Sequence, residues 1–198
     1  MNKYLLGGIA LMICVIVLGV RDFNYVVLGE TTSLNEYTNN RQPGDDSMSK
    51  GKIVTLDINK TYGCFAELSS TRQHKSTYFY IVELPDASLM AIQISRTKTD
   101  AISILDEITN DTLYSDTGAS GKTLAYTGKL ISLSGNDAEG YYNEYISELK
   151  ATGYISNDAN IRYLMINAGG DRIWAILTYA LLSFMGISLI IVGIKSNK

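Results

Sequence analysis

Two long apolar runs enclose a polar middle in this chain of 198 residues. Residues 4–20 and residues 173–194 contain no charged side chain. A helix that crosses the hydrocarbon core of a membrane needs about 20 apolar residues, within a range of about 17–25. The second run meets this length, and the first reaches its lower limit, where Arg21 could extend the helix by placing its charge among the lipid headgroups. The pattern therefore predicts one transmembrane helix at each end of the chain.

The first run also fits a cleaved signal peptide. Lys3 precedes the run, and the small residue Gly19 at its end offers a cleavage site. The charged segment before the run is minimal, however, and the run is longer than the usual apolar core of a signal peptide. We favour a retained anchor and keep the signal peptide as the alternative.

The middle of the chain changes between strand and helix patterns. Apolar and polar residues alternate from Val54 to Ile58, which is typical of a half-buried strand. Residues 77–84 are dense in aromatic and β-branched side chains, and a turn at 85–88 then predicts a hairpin with a strand at 89–94. Further strands are predicted at 62–68, at 123–134 with a bend or bulge at Gly128, and at 161–168, and helices at 99–110 and from 136 to a stop at Gly153.

This order of elements predicts an α+β domain, with a mainly antiparallel sheet and two helices packed on it. A small, partly closed barrel resembling an OB-fold is the alternative. The predicted organisation is an N-terminal transmembrane helix and flank over 1–28, a polar linker over 29–51, the α+β domain over 52–171, and a C-terminal transmembrane helix with a short tail over 172–198.

Charges beside the two apolar runs predict the orientation of the chain. Lys3 lies before the first run, and Lys195 and Lys198 lie after the second. Short flanks that carry lysine stay on the cytoplasmic side. Both termini are therefore expected in the cytoplasm and the domain outside it, in a two-span protein of the cell membrane. The residues expected at the membrane interface are Tyr4, Arg21, Arg172, Trp174 and Lys195.

The charge of the domain limits its partners. Residues 21–172 contain 14 Lys and Arg and 20 Asp and Glu, a net charge of −6 (14 − 20). An acidic surface repels phosphate backbones, so we expect no nucleic-acid partner. A single histidine and the lack of calcium-loop spacing leave no recognisable metal site, and no cofactor is predicted. The expected partners are the lipid bilayer and a protein of the cell envelope.

Two motifs suggest chemistry, but each is incomplete. Cys64 and His74 could form a nucleophile–base pair if the strand at 62–68 pairs with the strand that begins near 77, although no third group is placed to orient the imidazole. Residues 118–123 look like a phosphate-binding loop, but Asp116 stands where that motif requires glycine and a strand pattern follows. We therefore assign no catalytic residue and keep Cys64 and His74 as the candidates for one.

Four strand segments, TYGCFAEL, YFYIVEL, LMAIQIS and TGKLISL, stand between the two apolar ends. With a short N-terminal span, a polar linker and a terminal span, this arrangement resembles uncharacterised bacterial two-span membrane proteins that are grouped as domains of unknown function. The resemblance covers nearly the whole chain. It implies a bacterial cell-membrane protein with an extracytoplasmic domain, and it carries over no catalytic or binding residue.

The preferred hypothesis is a non-enzymatic domain, tethered outside the cytoplasm, that binds an envelope protein or a small ligand. The tyrosines of residues 21–172, 12 of the 14 in the chain, could form an exposed platform for a sugar or a protein, although packing into the core is the favoured interpretation. One alternative is a membrane-bound hydrolase that uses the Cys64/His74 pair. Another is an accessory subunit of a transporter complex, whose spans pack on a larger channel.

Overall fold

A computed structural model describes residues 3–23, 31–39, 50–70, 75–115, 118, 120–167 and 172–196 of the chain. The chain forms two compact units. One comprises Met1–Thr31 together with Gly170–Lys198, and the other comprises Thr32–Gly169. The first unit contains both apolar runs, and the second contains the α+β domain.

The described residues form five helices and seven strands. The helices are α1 (Lys3–Phe23), α2 (Leu34–Asn39), α3 (Thr99–Tyr114), α4 (Glu139–Ala151) and α5 (Arg172–Lys195). The strands are β1 (Thr32–Ser33), β2 (Ile53–Ile58), β3 (Thr61–Ser70), β4 (Lys75–Glu83), β5 (Leu89–Ser95), β6 (Leu124–Ser132) and β7 (Ile161–Asn167). Each strand and helix that the sequence predicts within the domain is present, with bounds shifted by a few residues.

The strands form one open sheet in the order β1-β2-β6-β7-β5-β4-β3. The pairs β2/β6, β3/β4, β4/β5 and β6/β7 are antiparallel, whereas β1/β2 and β5/β7 are parallel. The α+β class and the mainly antiparallel sheet are therefore confirmed. Among the described residues the end strands β1 and β3 do not pair with each other, so the partly closed barrel is not formed.

Strands β4 and β5 are buried on both faces because helices cover both sides of them. Along β4, Tyr80 and Val82 belong to one apolar cluster and Phe79 and Ile81 to another. Helix α3 contributes Leu105 to the first cluster, and α4 covers the second cluster with its own apolar residues. A strand with both faces buried has an almost continuous apolar sequence, which explains the dense run that predicted β4.

Strand β2 is buried on one face only. Its residues Val54, Leu56 and Ile58 are buried in the first cluster, whereas Thr55 is half-buried and Asp57 is exposed. The second cluster, which lies under α4, includes no residue of β2. The strict alternation that predicted this strand therefore reflects a sheet face that none of the described helices covers.

The predicted polar linker over 29–51 needs correction at its start. Residues 32–39 form β1 and α2, and Leu34 is only 1% exposed in the first cluster. The side chain of Asn35 accepts a hydrogen bond from the backbone N–H of Asp57 at 2.9 Å and donates one to its carbonyl at 3.3 Å. The buried side chain of Leu34 and the side-chain amide of Asn35 thus attach this polar segment to the sheet. Residues 40–49 lie outside the described residues.

Gly128 does not mark the bend or bulge that its sequence position suggested. The register between β2 and β6 is continuous through the pair Val54 and Gly128. A Cβ atom at Gly128 would lie 2.2 Å from the carbonyl oxygen of Asn167 and 2.6 Å from a methyl carbon of Ile166. Glycine is required here because β7 approaches the backbone of β6 too closely for a side chain.

In the other unit, α1 and α5 pack against each other in antiparallel directions. Cβ atoms built at Gly8, Gly186 and Gly193 would lie within 3 Å of atoms of the opposite helix. Gly193 faces Leu5, near the start of α1, and Gly186 faces Met12, further along α1. Small residues let membrane helices approach closely. The contact between the two helices uses isolated glycines, and the sequence of neither helix contains a GxxxG pattern.

Both helices of this unit are long and apolar enough to cross a membrane. The qualifying segments are Lys3–Val20 and Ile176–Lys195. Only 6% of the first segment and 11% of the second are buried. A core helix of a soluble protein would be mostly buried, so the exposed apolar surface is that of helices suited to lipid.

A candidate binding cleft at one end of the sheet

A cleft of about 420 Å³ lies at the end of the sheet where β4 ends and β3, β5 and β7 begin. Residues 154–160, between α4 and β7, form its other wall. Its charged and amide side chains belong to Lys60, Glu83, Asp86, Asp158 and Asn160, and its tyrosines are Tyr62 and Tyr154. This volume falls in the range of about 300–1,000 Å³ that is usual for small-molecule sites.

The first side of the cleft is built on a bulge at the start of β3. The pairing of β3 with β4 shifts between Thr61 and Gly63, and Gly63 has φ +105°. Bulges re-aim side chains beside functional sites. Here the extra residue is Tyr62, whose hydroxyl donates a hydrogen bond to Glu83. Its backbone carbonyl accepts a hydrogen bond from the hydroxyl of Tyr145 at 2.8 Å, so α4 holds the bulge in place.

Glu83 links β4 to the start of β3. Its carboxylate accepts a hydrogen bond from the Nζ of Lys60 at 3.0 Å and another from the hydroxyl of Tyr62. The Lys60 ammonium also lies 5.6 Å from the centre of the Tyr62 ring, which is a cation–π distance. Burial, followed by the hydrogen bond to Glu83, raises the pKa of Tyr62, so its hydroxyl stays protonated and remains a donor at neutral pH.

The turn between β4 and β5 forms the second side of the cleft. Arg162, on β7, donates from Nη2 to Asp86 at 2.6 Å and from Nε to the hydroxyl of Ser88 at 2.7 Å. Burial alone would raise the pKa of Asp86, but hydrogen bonds from Ser88 and Arg162 outweigh it and hold this pKa below its ordinary value of 3.8. Ala87, between Asp86 and Ser88, has φ +58°, a left-handed conformation that this hydrogen-bond network stabilises.

The wall at 154–160 is held in place at both of its ends. Gly153 has φ +78° and ends α4 in the left-handed conformation that the sequence predicted. Ile155 is 7% exposed and packs in the second apolar cluster. At the other end the backbone carbonyl of Asn160 accepts a hydrogen bond from the N–H of Leu89 at 2.9 Å. Both ends of this wall are therefore fixed to the body of the domain.

The two carboxylates at the centre of the cleft are held by neighbouring side chains. Both oxygens of Glu83 and both oxygens of Asp86 already accept hydrogen bonds from neighbouring side chains. These hydrogen bonds fix the positions of both carboxylates, and each oxygen keeps a further lone pair. Within the described residues, no group of three or more His, Cys, Asp and Glu side chains could hold a metal ion.

The Cys64/His74 candidate receives no support from the described residues. Cys64 lies on β3 opposite Tyr80, and its thiol donates to the carbonyl oxygen of Ala66 at 3.3 Å. Cys64 is exposed to solvent, but partial burial raises the pKa of its thiol above the ordinary value despite that contact, which favours the thiol over the thiolate. His74 lies outside the described residues. Strands β3 and β4 do pair, as the hypothesis required.

The described part of the segment that resembles a phosphate loop is polar and irregular, without helix or strand. It leads directly into β6, with no helix N-terminus to receive an anion. The hydroxyl of Ser120 donates to the carboxylate of Asp111 at 2.7 Å, and Lys122 forms an ion pair with Glu107. Both polar side chains are thus bound to carboxylates of α3, in surroundings that would repel phosphate.

The predicted membrane-interface residues fall at the ends of α1 and α5. Tyr4 is 43% exposed near the start of α1, with the ammonium of Lys3 at 5.5 Å from its ring. Lys195 is exposed as the last residue of α5. Arg21 lies in the last turn of α1, and Arg172 and Trp174 lie in the first turn of α5. The side chains of these last three residues lie outside the described part of the chain.

Sequence reasoning did not identify the cleft. Lys60, Glu83 and Asp86 look like ordinary turn and strand-end residues, and Arg162 looks like the polar side of a strand. The available signal was Glu83, a carboxylate placed directly after the apolar run of residues 79–82 in β4. A charge next to a fully buried strand needs a partner, but the sequence does not show that Lys60 and Tyr62 supply it.

Comparison with known proteins gives a family without an assigned activity. A family model described as a domain of unknown function, DUF8577, matches residues 1–195. The chain therefore belongs to this family. No curated protein matches the chain. No solved structure matches it either.

Proposed function

For this member of the DUF8577 family, we propose a two-span membrane protein of a bacterial cell envelope whose α+β domain is a non-catalytic binding module. Both termini lie in the cytoplasm and the domain lies outside it. The binding site is the cleft lined by Lys60, Glu83 and Asp86, and its ligand is a small molecule or a segment of another envelope protein.

The observation that carries this proposal is that the polar side chains of the cleft support one another. Glu83 is fixed by Lys60 and Tyr62, and Asp86 is fixed by Arg162. A site whose side chains are already ordered loses less conformational entropy when a ligand binds. A cleft with this degree of preorganisation is what a binding module requires.

The packing of the terminal helices supports the membrane part of the proposal. Because α1 and α5 are antiparallel, Lys3 and Lys195 lie at the same end of the pair. Lysines at one end favour the cytoplasmic side for that end. The contacts of Gly8 and Gly193 with the opposite helix also favour a retained α1, because a cleaved signal peptide would leave α5 without its partner.

The hydrolase alternative is not favoured. Cysteine catalysis requires a thiolate, and burial raises the pKa of Cys64 in the direction that suppresses one. The nearest groups with charge, Asp106 and Glu67, act in the same direction because a negative charge disfavours a second one.

A photo-crosslinking experiment in intact cells tests the binding proposal. Benzoylphenylalanine is placed at Tyr154, which lines the cleft and is 44% exposed, or at Tyr141, a control on α4 that is 52% exposed. We expect a defined adduct, seen as a discrete mass increase of the full chain, from position 154 and not from 141. Adding Arg162→Gln, which removes the support of Asp86, should abolish it. The same products from both positions would contradict the proposal.

A further inference from the structure

We propose that the ligand of the cleft is a neutral, hydroxyl-rich molecule of the mono- or disaccharide class. This inference rests on the proposed function, because it assumes that the cleft lined by Tyr154, Asp158 and Asn160 is a binding site. It goes further by choosing between neutral, anionic and cationic ligands.

The charges around the cleft are almost fully paired. The ammonium of Lys60 lies 2.9 Å from a carboxylate oxygen of Glu83, and the guanidinium of Arg162 lies 2.6 Å from one of Asp86. Arg162 is only 11% exposed in its side chain and is directed at Asp86 and Ser88. Each pair cancels its own charge, so the cleft is strongly polar but carries little net charge.

The remaining charge argues against an anion. Of the described cleft residues, Asp158 is the carboxylate for which no cation lies within ion-pair distance, and it is exposed. A phosphate or carboxylate ligand would be repelled by Asp158 and would have to separate Lys60 from Glu83 to gain a counter-charge. Binding of a small cation is also disfavoured, because Glu83 and Asp86 are already paired with Lys60 and Arg162 and a single exposed carboxylate holds a cation weakly.

The uncommitted groups suit hydroxyls and the apolar face of a sugar ring. Asp158 is an acceptor, and Asn160 offers both a donor and an acceptor, so the pair can satisfy adjacent hydroxyl groups. Tyr154 lines the same cleft with a ring that is 44% exposed. A half-exposed aromatic ring has an apolar face for C–H groups and a polar hydroxyl at its edge. This combination matches a ligand that is itself apolar on its faces and polar on its rim.

The test uses the full chain in lipid nanodiscs, because maltoside detergents would present a sugar to the cleft. The probes are maltose, cellobiose and N,N′-diacetylchitobiose, with inorganic phosphate and spermidine as the anionic and cationic comparisons. Saturation-transfer NMR detects contact, and titration calorimetry measures affinity. We expect at least one disaccharide to bind, with a Kd about tenfold weaker or worse in Tyr154→Ala and nearly unchanged in Tyr154→Phe and in the control Tyr141→Ala.

The results separate this inference from the proposed function. Binding of phosphate or spermidine, but of no disaccharide, would overturn the proposed ligand class. If that binding is weaker in Tyr154→Ala than in wild type, the cleft would still be a binding site. Disaccharide binding that is the same in Tyr154→Ala and wild type would also overturn it, because the sugar would then lie elsewhere. If no disaccharide binds at about 10 mM, which corresponds to an affinity too weak to matter, the inference fails even where position 154 still forms its crosslink in cells.

Discussion

Asp86 shows how a single carboxylate stabilises one side of the cleft. Its ionised form accepts hydrogen bonds from Ser88 and Arg162, which keeps its pKa below 3.8 in the folded protein. A group whose pKa is lowered by folding stabilises the folded state at pH values above its unfolded pKa. That stabilisation is lost as the pH falls through the folded-state pKa.

The pH dependence of Asp86→Asn tests this role. We expect the variant to be less stable than wild type at pH 6, and the difference in the free energy of unfolding to shrink as the pH falls below about 4. Chemical denaturation of the full chain at pH 6, 5, 4 and 3 provides the measurement. A difference that stays constant over this range would mean that the Asp86 carboxylate is not the stabilising group.

The reactivity of Cys64 is a second prediction for a single residue. Cys64 is exposed, but because partial burial raises the pKa of its thiol, we expect iodoacetamide to label it more slowly at pH 7.5 than it labels a small-molecule thiol such as glutathione. The rate should keep rising through pH 9. Cys14→Ala removes the other thiol of the chain and leaves Cys64 alone for the measurement. Rapid labelling at pH 7 would restore the hydrolase hypothesis.

Gly128 provides a matched test of close packing between strands. Gly128→Ala places a Cβ atom 2.2 Å from the carbonyl oxygen of Asn167 and should destabilise the domain by about 1–3 kcal/mol. Gly140→Ala meets nothing within 4 Å and should be neutral, or stabilising by at most about 1 kcal/mol. Thermal unfolding of the full-length variants compares them. Equal melting temperatures would contradict the close approach of β6 and β7.

At the scale of elements, the sequence predicted the strands and helices whose apolar residues recur with a clear period. Strand β4 has both faces buried and β2 has one, and each leaves a clear period in its residues. Segment 32–39 was missed because Leu34 is its only fully buried apolar residue, too little to give a period. The parallel pairing of β5 with β7 was not foreseen either, because residues between them fold into other elements before the chain returns.

The cleft was not predictable for a related reason. Its residues come from the start of β3, the β4–β5 turn with its flanks, and the segment 154–160 before β7, which are far apart in the sequence. Lys60 and Arg162 are separated by about 100 residues, and only the sheet order places their carboxylate partners beside them. Local propensity identifies elements, whereas a site at the ends of several strands depends on long-range pairing.

The glycine contacts between α1 and α5 give a prediction at this scale. Gly8→Leu would force a side chain against the backbone of Gly186 and Ile190, at a cost of about 1–3 kcal/mol to the helix pair, whereas Gly7 has nothing within 4 Å. Amine crosslinking in membranes, followed by mass spectrometry, should link Lys3 to Lys195 in wild type and in Gly7→Leu. We expect a clear loss of that product in Gly8→Leu. Equal yields in both variants would contradict the glycine-packed pair.

At the scale of the whole molecule, the chain combines an apolar helix pair with an acidic α+β domain. All 20 carboxylates of the sequence lie between the two apolar runs, and lysines flank the runs at the chain termini. Short cationic flanks are retained in the cytoplasm, while a long segment between two spans can be exported whatever its charge. The central claim is therefore a topology, with both termini on the cytoplasmic side and the domain on the other.

Cysteine accessibility in intact cells tests that topology directly. In a Cys14→Ala, Cys64→Ala background, single cysteines replace Asn2, Ser47 or Ser196 and are treated with a membrane-impermeant maleimide. The account predicts that position 47 is labelled in intact cells, and that positions 2 and 196 are labelled only after the membrane is permeabilised. Labelling of positions 2 and 196 with position 47 protected would place the domain in the cytoplasm. Loss of position 2 by cleavage would make α1 a signal peptide and would contradict the two-span anchor, whereas the reversed labelling pattern would contradict the orientation.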